Sequence, residues 1–109
     1  MLRSDLWTSA FVRRHNNLGN ICVISRKGDP IAGQIFLEID HLNGTVSLYT
    51  PAPAALREDS ADRLFQLRFD HVEPQKVRDR IVQEQGFDPD LWVISLEMRN
   101  GDPGIEVRA

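Results

Sequence analysis

The stretch Gly33-Gln34-Ile35-Phe36-Leu37-Glu38-Ile39-Asp40-His41-Leu42-Asn43-Gly44-Thr45-Val46-Ser47-Leu48-Tyr49-Thr50 decides the fold class. Residues 33–40 alternate as a strand does, with Ile35, Leu37 and Ile39 on one face and Gln34, Phe36, Glu38 and Asp40 on the other. His41-Leu42-Asn43-Gly44 reads as a hairpin connection, because Asn-Gly readily accepts positive φ. Residues 45–50 return as the next strand, with Val46 and Leu48 inward and Tyr49 opposite them, facing out.

Working outward, residues 63–70 form a further strand with Phe65, Leu67 and Phe69 on one face. The connection before it, residues 51–62, is long and holds either a helical turn around Ala54-Ala55-Leu56 or a functional loop. Pro74 suits the first position of a helix, which runs to about residue 85 on a stripe of Val77, Ile81 and Val82, with Gly86 closing it. Asp88-Pro89-Asp90 turns the chain into a last strand, residues 91–98. On the N-terminal side, residues 21–26 are apolar on both faces, which predicts a central strand. Ser4 is placed to cap a helix over residues 5–17, with Leu6, Trp7, Ala10, Phe11 and Leu18 as its apolar stripe and Gly19 as its stop. The tail, residues 100–109, breaks regular structure and is expected to fray.

The order α-β-β-β-β-α-β predicts one α+β domain over residues 1–109. Its sheet has about five mostly antiparallel strands. One helix lies on each face; both helices on one face is the alternative. The expected core is Phe11, Ile21, Val23, Ile24, Ile35, Leu37, Phe65, Leu67 and Ile94.

The chain has 109 residues, 41% hydrophobic and 27% charged, which fits one globular domain at about 100–200 residues each. Disorder, collagen and coiled coil are excluded by that usage. The single Cys22 forms no intramolecular disulfide and, within Ile21-Cys22-Val23-Ile24, reads as a buried reduced thiol. No stretch approaches about 18 uncharged apolar residues and the N-terminus is no signal peptide, so a cytoplasmic protein without membrane contact is expected. Net charge is −3, split as +1 over residues 1–50 and −4 over residues 51–109. An acidic chain without a basic block is not expected to bind nucleic acid, which needs clustered Lys and Arg.

Gly28-Asp29-Pro30-Ile31-Ala32-Gly33, Leu48-Tyr49-Thr50-Pro51-Ala52-Pro53 and Phe87-Asp88-Pro89-Asp90-Leu91-Trp92-Val93, with Ser4-Asp5-Leu6-Trp7 and Arg13-Arg14, together resemble the bacterial, chiefly alphaproteobacterial, domain of unknown function 1491 family. The resemblance spans nearly the whole chain. It departs at Ser95, where the family pattern carries a second acid beside Glu97. It implies a small stand-alone cytoplasmic protein and brings no activity, ligand or catalytic residue with it.

Specific catalytic signatures are missing. Gly28 and Gly33 have P-loop spacing, but Gln34-Ile35 follows where Lys-Ser/Thr must stand to reach phosphate and Mg²⁺. Neither G-x-G-x-x-G nor the G-x-S-x-G elbow occurs, and no cofactor is implied. The Asp-Pro pairs at Asp29, Asp88 and Asp102 read as turns. His15, His41 and His71 lack metal-ligand spacing. Yet Asp40-His41 and Asp70-His71 end two strands that run parallel in a meander, about 10 Å apart, where solvated strand ends compete with a divalent-ion site. Trp7 and Trp92 read first as core. Tyr49 with Pro51 and Pro53 offers a rigid aromatic patch. Asp88 and Asp90 beside a half-buried Trp92 at the sheet rim offer a recognition surface. The reading is a non-enzymatic binding or assembly module, engaging itself as a homodimer or another protein. The alternative is a small enzyme acting on a soluble metabolite through Asp88, Asp90 and Glu97 with Arg63.

Overall fold

The computed structural model describes residues 2–53 and 63–108, so the helical turn expected at residues 54–56 lies outside the described residues. The elements are α1 (Ser4–Asn17), β1 (Ile21–Arg26), β2 (Ile35–Asp40), β3 (Val46–Pro51), β4 (Leu64–Val72), α2 (Pro74–Phe87), β5 (Trp92–Glu97) and a short β6 (Glu106–Val107). They build one α+β domain around a mixed sheet of order β1-β5-β2-β3-β4-β6. The β1/β5, β2/β3 and β3/β4 pairs are antiparallel; β2/β5 and β4/β6 are parallel.

The sheet has a helix on each face, and the pleat sorts the core into two clusters. Phe11 of α1 packs with Cys22, Ile35, Leu37, Ile39, Phe65 and the β5 residues Trp92, Ile94 and Leu96. Val77 and Ile81 of α2 pack with Phe36, Val46, Leu48, Leu91 and Val93 on the other side. The Ile35-Leu37-Ile39 alternation is therefore correct, and Phe36 belongs to the second core.

The central place expected for β1 goes to β5. β1 lies at the sheet edge, with Ile21 59%, Val23 50% and Ile24 39% exposed. The reason is reach: α2 is about 21 Å long and rests on β3 and β4, leaving that face of β1 uncovered. Cys22, on the other face, is buried under α1, and burial pushes its thiol up to about 11. The Asn16 carboxamide meets both backbone groups of Cys22, accepting from its N–H and donating to its carbonyl, each at 3.0 Å.

Two other expectations shift for local reasons. Register irregularities in the β3/β4 ladder pair Leu48 with Phe69 but Tyr49 with Leu67. Phe69 thereby turns to the α2 side, away from Phe65, and Leu67 is left 41% exposed. In α1 the buried stripe is Ser4, Thr8, Phe11 and His15, while Leu6 and Leu18 face water. Ser4 is no cap. It sits inside the helix and donates its hydroxyl to the Gly33 carbonyl at 2.6 Å.

That contact is part of a junction between the residue 28–33 loop, the start of α1 and the turn before β5. The Ser4 and Asp5 amides donate to Ile31 and Pro30. The Asp29 amide donates to the Asp90 carbonyl at 2.9 Å, and the Trp92 indole N–H donates to the Asp29 carbonyl at 2.7 Å. A Cβ on Gly28 would stand 2.1 Å from the Asp90 carbonyl oxygen, and one on Gly33 2.7 Å from Trp92 Nε1. All three Asp-Pro aspartates cap turns: Asp29 accepts from Ile31 and Ala32, Asp88 from Asp90, and Asp102 from Gly104.

Two stability changes follow from this packing. Leu37→Ala removes a side chain with no exposed surface from the middle of the sheet and should cost about 2–5 kcal/mol in urea unfolding. Gly28→Ala drives a methyl group into immovable backbone and should cost about 2 kcal/mol or more. Gly86→Ala, with open space around it, should be neutral or stabilising by about 0.5–1 kcal/mol.

Candidate functional site

The β2–β3 hairpin and the end of β4 bring His41 and His71 together. Their rings stack at 3.7 Å between centroids and 5° between planes. Both approach Ser47, which faces this side of the sheet opposite Ile39. The His71 backbone N–H donates to Ser47 Oγ at 3.0 Å, and Ser47 Oγ lies 2.8 Å from His41 Nε2. Since Ser47 accepts from His71, its own proton is free to go to His41. His71 Nδ1 meets Asp70 Oδ1 at 2.6 Å.

The local chain is bent to achieve this. The β3/β4 ladder is irregular between Val46 and Tyr49, and His71 holds φ at +51°, the left-handed region that a branched or bulky residue enters at a cost. The hairpin connection expected at His41–Gly44 joins β2 to β3, with positive φ at Gly44 as anticipated and at Leu42 (+61°) in place of Asn43. Irregular ladders and strained non-glycine residues gather at functional sites.

These residues line a cavity of about 210 Å³, closed by Tyr49 and by the strap of residues 98–103 that leaves β5. Burial lowers the His41 pKa. The neighbouring His71 lowers it further, against the Met98 backbone contact and the charges of Asp70 and Asp40. Burial also raises the Tyr49 pKa, helped by the charges of Asp70 and Asp102.

The chemistry available is limited by the geometry. Ser47 is 2% exposed and already bridges both histidines, so it serves as a link and not as a nucleophile. In-plane lone pairs of two stacked imidazoles point along parallel planes and do not converge on one ion at about 2 Å. Among the described residues, no group of three or more His, Cys, Asp or Glu is placed to hold a metal. The two Asp-His pairs do meet, closer than the expected 10 Å, but face to face. Asp40 turns away to cap Leu42 at 2.8 Å.

The other expected site residues are dispersed. Trp92 is 1% exposed and seals the core instead of standing half-buried at the rim. Asp88 and Asp90 lie in the turn before it, at the opposite end of β5 from Glu97. Arg63 donates to Leu2 and Ser4 near the α1 start. Pro51 ends β3 far from the histidines, with Pro53 just beyond it. Of the aromatic patch, only Tyr49 reaches the cavity. Ser47 and the strap were missed. A polar residue between Val46 and Leu48 on the face of Ile39 was the available signal for Ser47; the strap gave none.

Fold and site thus define a small mixed-sheet α+β domain with a histidine-walled cavity where β2, β4 and β5 end. Residues 2–106 match the family described as "Protein of unknown function (DUF1491)", and the chain belongs to it. The chain is similar to the crystal structure of a DUF1491 family protein from Caulobacter crescentus CB15. Identity is 25% and the TM-score 0.80, over 99% of this chain and 98% of that one. It is also similar to the solution structure of protein Atu0922 from A. tumefaciens, at 33% identity and TM-score 0.80 over 92% of this chain and 88% of that one. A comparison with curated proteins finds no match. No helix among the described residues is long and apolar enough to cross a membrane.

Because the folded His41 titrates below 6.5, the unfolded chain binds more protons between that folded value and 6.5. Stability should therefore fall as pH drops through this window and level off beneath it. Urea unfolding at about pH 7.5 and about pH 5.5 checks this, and His41→Asn should flatten the difference.

Proposed function

We propose that this protein is a non-enzymatic binding module that takes an organic cation, the ammonium or guanidinium end of a Lys or Arg side chain on a partner protein, into the histidine cavity. The observation that carries the reading is the composition of the wall: the rings of His41, His71 and Tyr49 with the Asp70 carboxylate among them. Cations favour an aromatic face such as that of Tyr49, and the Asp70 carboxylate nearby strengthens the attraction. The charges Asp40, Asp70 and Asp102 act on the cavity's titratable groups, against the single guanidinium of Arg99 in the wall. The acidic balance of residues 51–109 favours a basic partner in the same sense. A cytoplasmic setting goes with this reading, and the buried Cys22 thiol is compatible with it.

The test is an amide NMR titration with N-acetyl-lysine methylamide and N-acetyl-arginine methylamide, with the glutamate analogue as control. Saturable shifts at Ser47, Tyr49, His71 and residues 98–101 are expected with the cations alone, weakened about fivefold by Asp70→Asn. No shift at about 20 mM cation, or equal shifts with glutamate, would overturn the proposal.

A further inference from the structure

A second cavity, of about 460 Å³, lies under α1, on the other side of the strap from the histidines. That is within the roughly 300–1,000 Å³ of small-molecule sites. Residues 98–106 wall both cavities: Gly101 and Pro103 face the histidines, while Asp102, Gly104, Ile105 and Glu106 face α1. The floor under α1 is apolar, with Trp7 stacked on Phe11 at 5.1 Å and 12° and Ile105 beside them. Arg14 stands at one side, fixed by donating to the Gly104 carbonyl at 3.1 Å and by lying 5.4 Å from the Phe11 ring centroid. Arg63 contributes a second guanidinium to the lining.

Asp102 and Glu106 face the same space. Among the described residues neither they nor Arg14 enter an ion pair, although opposite charges border one cavity. A lone anion there meets two carboxylates, and a lone cation meets two guanidiniums. A molecule carrying both charges on an apolar body complements Arg14 and the two carboxylates at once and covers the Trp7 surface. We propose that this cavity is a site for a zwitterionic small molecule, an apolar α-amino acid. Its carboxylate is held on the Arg14 side and its ammonium between Asp102 and Glu106.

The two tryptophans make the test selective. Trp7 lines the cavity, whereas the Trp92 indole is sealed against Asp29 and serves as an internal reference. L-Phenylalanine is titrated into the labelled protein, with phenylacetate and phenethylamine as single-charge controls. The expected result is a saturable shift of the Trp7 indole N–H with Trp92 unmoved, and binding at least about tenfold weaker for either control. Arg14→Gln and Glu106→Gln should each weaken L-phenylalanine about fivefold. Glu106 is exposed in the terminal strand, so its variant keeps the fold whatever Arg14→Gln does. The inference is overturned if Trp7 shows no saturable shift at about 20 mM, if a control binds equally, or if folded Glu106→Gln binds unchanged.

Discussion

Trp92 donates its indole N–H to the carbonyl of Asp29, and the Asp29 amide donates to the carbonyl of Asp90. This pair of bonds clamps the loop before β2 to the turn before β5, and the rest of the architecture hangs on it. β2 and β5 are parallel neighbours separated by more than fifty residues of chain. Parallel strands so far apart need something to set their register, and the clamp does so at the first residue pair, Ile35 with Trp92. Gly28 and Gly33 allow the two backbones to touch. The start of α1 then docks on the same loop through Ser4 and Asp5, so one junction fixes a helix and two central strands.

The parts of this fold that were legible in the sequence are those governed by local periodicity. The alternation of Ile35, Leu37 and Ile39, the Pro74 helix start and the three Asp-Pro turns need only neighbours along the chain, and all are present. The order of strands is a long-range matter. Ile21-Cys22-Val23-Ile24 has the composition of a buried strand, but composition cannot say that β5 inserts between β1 and β2. The same limit hid the α1 stripe. Ser4, Thr8 and His15 are polar, and their burial depends on bonding partners 29 and 88 residues away for Ser4 and His15. For the site, the meander brought Asp40-His41 and Asp70-His71 to one end on paper. The ring stacking depends on a ladder irregularity near Leu48 that no residue announces.

The histidine end and the clamped end differ in how their backbones are satisfied. At the clamp, turns are closed by aspartates and by carbonyls within the junction, and its indole is sealed. At the histidine end, His71 carries positive φ, Ser47 Oγ is shared between the His41 ring and the His71 backbone N–H, and the wall is completed by a strap held through His15 to the Pro103 carbonyl at 2.7 Å and Arg14 to Gly104. Both cavities lie along the strap, whose residues contribute to each wall.

The Asn16 carboxamide against Cys22 has a meaning beyond packing. β1 is a border strand with Ile21, Val23 and Ile24 open to water and no charge before Arg26, the profile that recruits strands from other molecules into growing β-assemblies. A carboxamide presents the same acceptor and donor as a peptide unit, so Asn16 behaves as a one-residue decoy strand lent by the helix. It occupies the Cys22 groups on which an incoming chain would register. Those two backbone groups are therefore already paired within the molecule, at the middle of an otherwise apolar border.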